Sequence, residues 1–238
     1  MANTKSVDLE LSSSQYLSIT DANQTGLDIT GDISLEAWVK LEQLPSTAGS
    51  VMALVVKDDV GTQRSYIFNV PTTDKLRFNY WSVSTNITTL DSTAAFFVAG
   101  DVGSWVHVAI AVDVSAQTAV MYKNGSSVAV TQTTTDATSI EDNASTFYIG
   151  GSTQFFDGLI DEVRVWSDIR TSTEISDNYE KELVGTEANL VGYWKLNNSL
   201  LDETSNDNDL TNNNSATFST DVPFSGAVAG NSNFFMFM

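Results

Sequence analysis

Thirty carboxylates, one histidine and no cysteine bound the chemistry open to this 238-residue chain. Zinc sites draw on Cys and His, so His107 alone leaves such a centre almost without ligands. Retaining glycoside hydrolysis needs two carboxyls about 5–5.5 Å apart. Asp161 and Glu162 are adjacent, so on a regular strand they point to opposite faces. Asp8 and Glu10 share a face, but a solvated edge explains them better. No catalytic set emerges. Calcium takes about six to eight oxygens, and the acidic loop 202–209 offers several; an Asn/Asp turn cluster explains that loop better. Sugar binding joins an aromatic ring to polar side chains. Tyr80, Trp81, Phe155 and Phe156 lie near loop-like segments and are the ligand-binding candidates, although a β-sandwich places most of its aromatics in the core. Phe234, Phe235, Met236, Phe237 and Met238 close the sequence. Five large apolar residues favour burial, roughly 1.5–3 kcal/mol each. They dock on their own domain or on a neighbour, so the second reading makes them an assembly element for a homo-oligomer or a virion.

Eleven Lys and Arg face 30 Asp and Glu, for a formal charge of −19 and a pI near 4.1. Such a surface repels nucleic-acid phosphate and anionic lipid, so nucleic acid and membrane insertion are not expected. No disulfide framework is available. The opening residues lack the roughly 7–15 apolar residues of a secretory leader. The expected setting is extracellular or the surface of a virion.

The elements that must position these residues follow a period of two. Val7, Leu9 and Leu11 alternate with Asp8 and Glu10, and Ile33, Leu35, Ala37 and Val39 with Ser34, Glu36 and Trp38. Strands with one buried face have this pattern; Trp38 on the other face of its strand calls for cover there too. Further strands fall near 51–57, 65–70, 75–81, 105–114, 118–123, 128–132, 147–150, 159–166 and 190–196. Asn124-Gly125 marks a tight hairpin. Thr171-Ser-Thr-Glu174 is a capping box. With Ile175, Tyr179 and Leu183 spaced by four and Gly185 as a stop, it predicts one short helix near 172–184. The fold class is therefore all-β, a sandwich in a single domain over residues 1–225, followed by a Gly/Ala/Asn linker and apolar tail at 226–238.

Three segments carry a resemblance: I-S-L-E-A-W-V at 33–39; W-V-H-V-A at 105–109 with M-Y-K-N-G at 121–125; and F-D-G-L-I-D-E-V-R-V-W at 156–166, followed by G-T-E-A-N-L-V-G-Y-W-K-L at 185–196. Together the sequence resembles the laminin G-like branch of the concanavalin A-like lectin/glucanase superfamily. The resemblance implies two antiparallel sheets packed face to face, a jelly-roll β-sandwich, and no single function. It implies that Asp161 is a structural calcium ligand, with Asp157 and Gly158 adding a carboxylate and a carbonyl; pairing with Arg164 or capping of backbone donors is the alternative. It implies that His107 packs and hydrogen-bonds. Related glucanases carry Glu-x-Asp-x-Glu on one strand, a run missing here, so a glycoside hydrolase is disfavoured. Two readings remain: a calcium-braced, lectin-like module for surface glycan or protein, and a virion decoration or tail component held by its apolar tail.

Overall fold

The computed structural model describes residues 3–59, 63–83, 85–151 and 153–224; residues 225–238, with the apolar tail and its assembly role, lie outside them. In chain order the strands are β1 (Ser6–Leu9), β2 (Tyr16–Ile19), β3 (Ile33–Leu41), β4 (Met52–Asp59), β5 (Gln63–Val70), β6 (Arg77–Val83), β7 (Asn86–Ser92), β8 (Val106–Asp113), β9 (Thr118–Lys123), β10 (Ser126–Val128), β11 (Val130–Thr135), β12 (Phe147–Ile149), β13 (Gly158–Trp166), β14 (Leu190–Trp194), β15 (Thr211–Asn213) and β16 (Thr217–Ser219). Two short helices join them, α1 (Pro45–Ala48) and α2 (Ser172–Asn178).

The strands form two antiparallel sheets packed face to face. The first runs β10-β9-β8-β3-β13-β1-β16, with β14 also paired to β13; the second runs β11-β7-β6-β5-β4-β12-β2-β15. β1 pairs with the first half of β13 and β14 with the second, so both lie on one edge of the same long strand. The period-two residues meet between the sheets: Leu35, Val39, Leu54, Phe68, Phe78, Ile110 and Ile160 are fully buried there. Trp194 stacks on Phe147, with centroids 5.3 Å apart.

Four expectations are corrected. The helix ends at Asn178: the Lys181 amide turns back to Asn178 O in a tighter turn, and the carbonyls just beyond are drawn to buried donors, Asn178 O also to Arg164 and Tyr179 O to Trp38. Gly185 is not its cap, since Tyr179 occupies that position in right-handed helical geometry; the glycine (φ 92°) sits where a Cβ would lie 2.1 Å from Glu203 O. After Asn124 and Gly125, both at positive φ, the return strand is divided. Residues 126–128 close the hairpin on β9, while β11 crosses to the second sheet and pairs with β7. Finally, β1 is not an edge, being flanked by β13 and β16.

Candidate ligand-binding face

The outer face of the first sheet is covered. The segment after β13 lies across it, with Ile175 against Ala109, Ala111 and Tyr122, and Leu183 against Trp166 and Tyr193. Tyr179 stacks on Trp38 at 5.9 Å, and the His107 ring stands 5.5 Å from each. Beneath lies a buried charged cluster. Arg164 reaches Glu162 Oε2 at 3.1 Å and Glu36 Oε2 at 3.6 Å. Trp166 Nε1 donates to Glu36 Oε1 at 2.8 Å, and Tyr193 OH to Glu162 Oε2 at 2.6 Å. His107 Nε2 stands 3.2 Å from Glu36 Oε2, without a well-formed hydrogen bond. Burial pushes the Glu36 carboxyl up, but His107, Arg164 and Trp166 outweigh it and hold it below its ordinary range. Burial lowers His107, which favours neutral imidazole.

A bulge overturns the parity of Asp161 and Glu162. Glu162 has φ 50°, and the register with β3 shifts between Asp161 and Arg164. Ile160 and Val163 therefore both face the core, and the two acids between them share the outer face. Asp161 is fully buried; it accepts from Asn3 Nδ2 at 2.7 Å and from the Glu162 amide at 3.0 Å. Burial, and then the charges of Glu162 and Glu182, raise its carboxyl well above the usual range. Glu162 is raised as well, by burial.

The structure does not bring Asp157 and Gly158 to Asp161. Four residues of extended chain separate the two aspartates, roughly 13 Å. Asp157 is instead committed to the Leu11 amide and Gln43 Nε2, at 3.1 and 2.6 Å. Nearby, Asp8, Glu10 and Glu42 bring their carboxylate oxygens within 4.8 Å of one another, the sole such acidic group among the described residues. Burial and the Asp157 charge raise Asp8. The 202–209 loop is a turn cluster, in which Asp202 accepts from the amides of Tyr193, Thr204 and Asn208. A cavity of about 250 Å³ beside Leu201 is lined by Glu182, Lys195 and Glu203, with the Lys195 charge shared between the two carboxylates.

The outer face of the second sheet has no described element packed across it. Two of the four aromatic candidates lie here: Trp81 packs with Ala53, Val56 and Ile67, and Phe155 is 6.1 Å from Tyr16. The other two do not. Tyr80 and Phe156 are fully buried between the sheets, and Tyr80 OH is spent on Val114 O. Sequence reasoning missed the polar residues of this face. Arg77 grips Asp91 in a fork, Nε to Oδ1 at 2.6 Å and Nη2 to Oδ2 at 2.8 Å. Arg64 grips Asp58 in the same way, at 3.0 and 3.3 Å, with its guanidinium 3.9 Å above the Trp81 ring. Burial raises Asp58 despite the Arg64 fork. Between the forks lie Asn69 and Asn79, each with an amide oxygen that is buried and unpartnered. Beside them a cavity of about 150 Å³ has an apolar floor of Ala53, Val56 and Ile67 and a polar rim of Asp58, Arg64, Thr153 and Gln154.

A family model described as the concanavalin A-like lectin/glucanases superfamily matches residues 11–176. The chain belongs to that superfamily. No curated protein matches it. Among solved structures, this superfamily member is similar to a candidate carbohydrate binding protein from Bacteroides ovatus, at 19% identity and TM-score 0.65 over 92% of this chain. It spans 60% of the length of that protein. It is also similar to an SAP-like pentraxin from Limulus polyphemus, at 11% identity and TM-score 0.57, covering 91% of this chain and 94% of that one. The CBM40 of Ruminococcus gnavus IT-sialidase, bound to α2,3-sialyllactose, matches at 16% identity and TM-score 0.52, over 74% and 98% of the two chains. At these identities the likeness is one of fold. Within the fold, the face missed from the sequence could have been found only by noticing that Arg77, Asn79 and Trp81 alternate along one strand with core residues.

Proposed function

We propose that this chain is a non-catalytic binding module that recognises a glycan on the outer face of its second sheet. The observation that carries the reading is Asn69, 4% exposed, with its amide oxygen unpartnered. Buried acceptors are normally satisfied, and a hydroxyl-bearing ligand would satisfy this one. The apolar floor suits the C–H face of a sugar ring, and the two forks suit its hydroxyls. Of the carboxylates set on these strands, Asp58 and Asp91 are each held by an arginine and Asp59 accepts from Tyr148 OH and the Thr146 amide, so each is engaged in a structural contact. The test is an oligosaccharide array probed with the intact protein and with Asn69→Leu. Binding that the variant weakens by about tenfold, with its melting temperature unchanged, is the expected outcome. A wild-type protein that stays silent on the array sinks the reading.

We infer also that calcium braces the fold at Asp161. Supporting this are two buried carboxyls, Asp161 and Glu162, that burial disfavours, and the unpartnered, buried Asn3 Oδ1 and Glu162 Oε1 beside them. An all-oxygen, acidic donor set fits calcium; when bound, the ion would neutralise charge that the core otherwise carries. Chelation is expected to lower the melting temperature, and Asp161→Asn to abolish that response. If Glu42→Gln abolishes it instead, the ion sits at the Asp8 group.

A further inference from the structure

We propose that the outer face of the second sheet selects uncharged, hydroxyl-rich oligosaccharides and rejects acidic ones, an inference that rests on the glycan-binding reading of that face. Three observations converge. First, its cations are already paired. Arg64 and Arg77 each hold an aspartate through two of their five N–H donors, so a sugar carboxylate or sulfate would meet a guanidinium whose charge Asp58 or Asp91 already neutralises, with that aspartate beside it. The two forks sum to zero charge, Asp59 stands beside them on Tyr148 OH, and the whole chain carries −19. An anion entering the groove is therefore repelled at long range and meets no unneutralised arginine at short range.

Second, the vacancies are of one kind. The orphaned atoms of Asn69 and Asn79 are oxygens, both acceptors. A carboxylate or sulfate brings only acceptors, whereas a hydroxyl brings a proton. Leaving a buried acceptor unmet costs more than a formed bond returns, so hydroxyl pattern decides the fit. Third, the face is long. The register places Thr89, Asn79, Ile67, Val56, Tyr148 and Ser18 in one row across six strands. At the usual strand spacing that row spans about 24 Å, the reach of an oligosaccharide rather than of one ring. Its polar ends and apolar middle suit a chain that lays its ring faces on Ile67 and Val56.

Titration calorimetry on the full chain tests this with two panels. The neutral panel is the hexasaccharides of glucose, xylose, mannose and arabinose; the acidic panel is hexagalacturonate, a heparin hexasaccharide and 3′-sialyllactose. Binding is expected in the neutral panel alone, with affinity changing less than about twofold between about 50 mM and about 500 mM NaCl. Asn69→Leu, and independently Asn79→Leu, should each weaken it by about tenfold with melting temperature retained. Binding of an acidic probe that fades with salt overturns the selectivity while leaving the glycan reading intact. Neutral binding that neither variant weakens overturns the assignment to these acceptors. Silence in both panels overturns the glycan reading, and this inference with it.

Discussion

At the scale of single residues, Arg164 has the largest consequences. It is 1% exposed, touches Glu36 and Glu162, and donates to Asn178 O and Lys181 O. Removing one member of a buried ionic cluster strands the others, at a cost of about 3–5 kcal/mol. Arg164→Met is expected to lose that much in urea unfolding and to loosen the segment after α2, read as faster amide exchange at 179–184. The same cluster sets a pH dependence of known sign. Glu36 is held below its ordinary 4.5, so it contributes stability above that value and loses it as pH falls through its folded-state pKa. Asp161 and Glu162 are raised; their burial costs stability at neutral pH, and that cost is relieved on acidification. Glu36→Gln should therefore lose less melting temperature than wild type as the pH falls from about 5 to about 3. In chelator, Asp161→Asn should melt above wild type at neutral pH; if it melts below, the buried carboxylate is not the burden described.

Among the elements, the strands were legible because their apolar residues alternate, and the sandwich because a dozen such runs occur. What was not legible turns on single backbone angles and on partners distant in sequence. Nothing in D-E-V-R announces that Glu162 takes φ 50°, yet that one residue puts Asp161 and Glu162 on the same face. The spacing of Ile175, Tyr179 and Leu183 continues a helical pattern past the point where Arg164 and Trp38 draw off the carbonyls. The binding face draws Asn69 from β5, Arg77 and Asn79 from β6 and Asp91 from β7, and no local spacing links them. Gly185 was legible as a special residue for the wrong reason. Gly185→Ala is expected to destabilise by more than about 1 kcal/mol, since both its φ and the Glu203 carbonyl exclude a Cβ. A capped helix would have tolerated the change better. Thr171→Ala should cost about 1 kcal/mol through the lost cap. Both values can be read from urea midpoints.

For the whole molecule, charge outweighs paired contacts. With a formal −19, self-repulsion opposes the compact state, and salt screens it over a Debye length of about 30 Å at 0.01 M and about 8 Å at 0.15 M. The melting temperature should rise by a few degrees across that range. A fall would mean that surface ion pairs such as Lys40–Asp221 contribute more than the repulsion costs.

The position of β1 also has a consequence in time. Val7 pairs with Ile160, 153 residues later (160 − 7). At about 5–20 residues per second on the ribosome, β1 waits roughly 8 to 30 s for β13. Throughout that interval Val7 and Leu9, fully hidden in the finished sandwich, are displayed on a nascent chain with no sheet to join. β1 is thus open to misassociation until β13 has been made, and the sandwich closes only once the two have met.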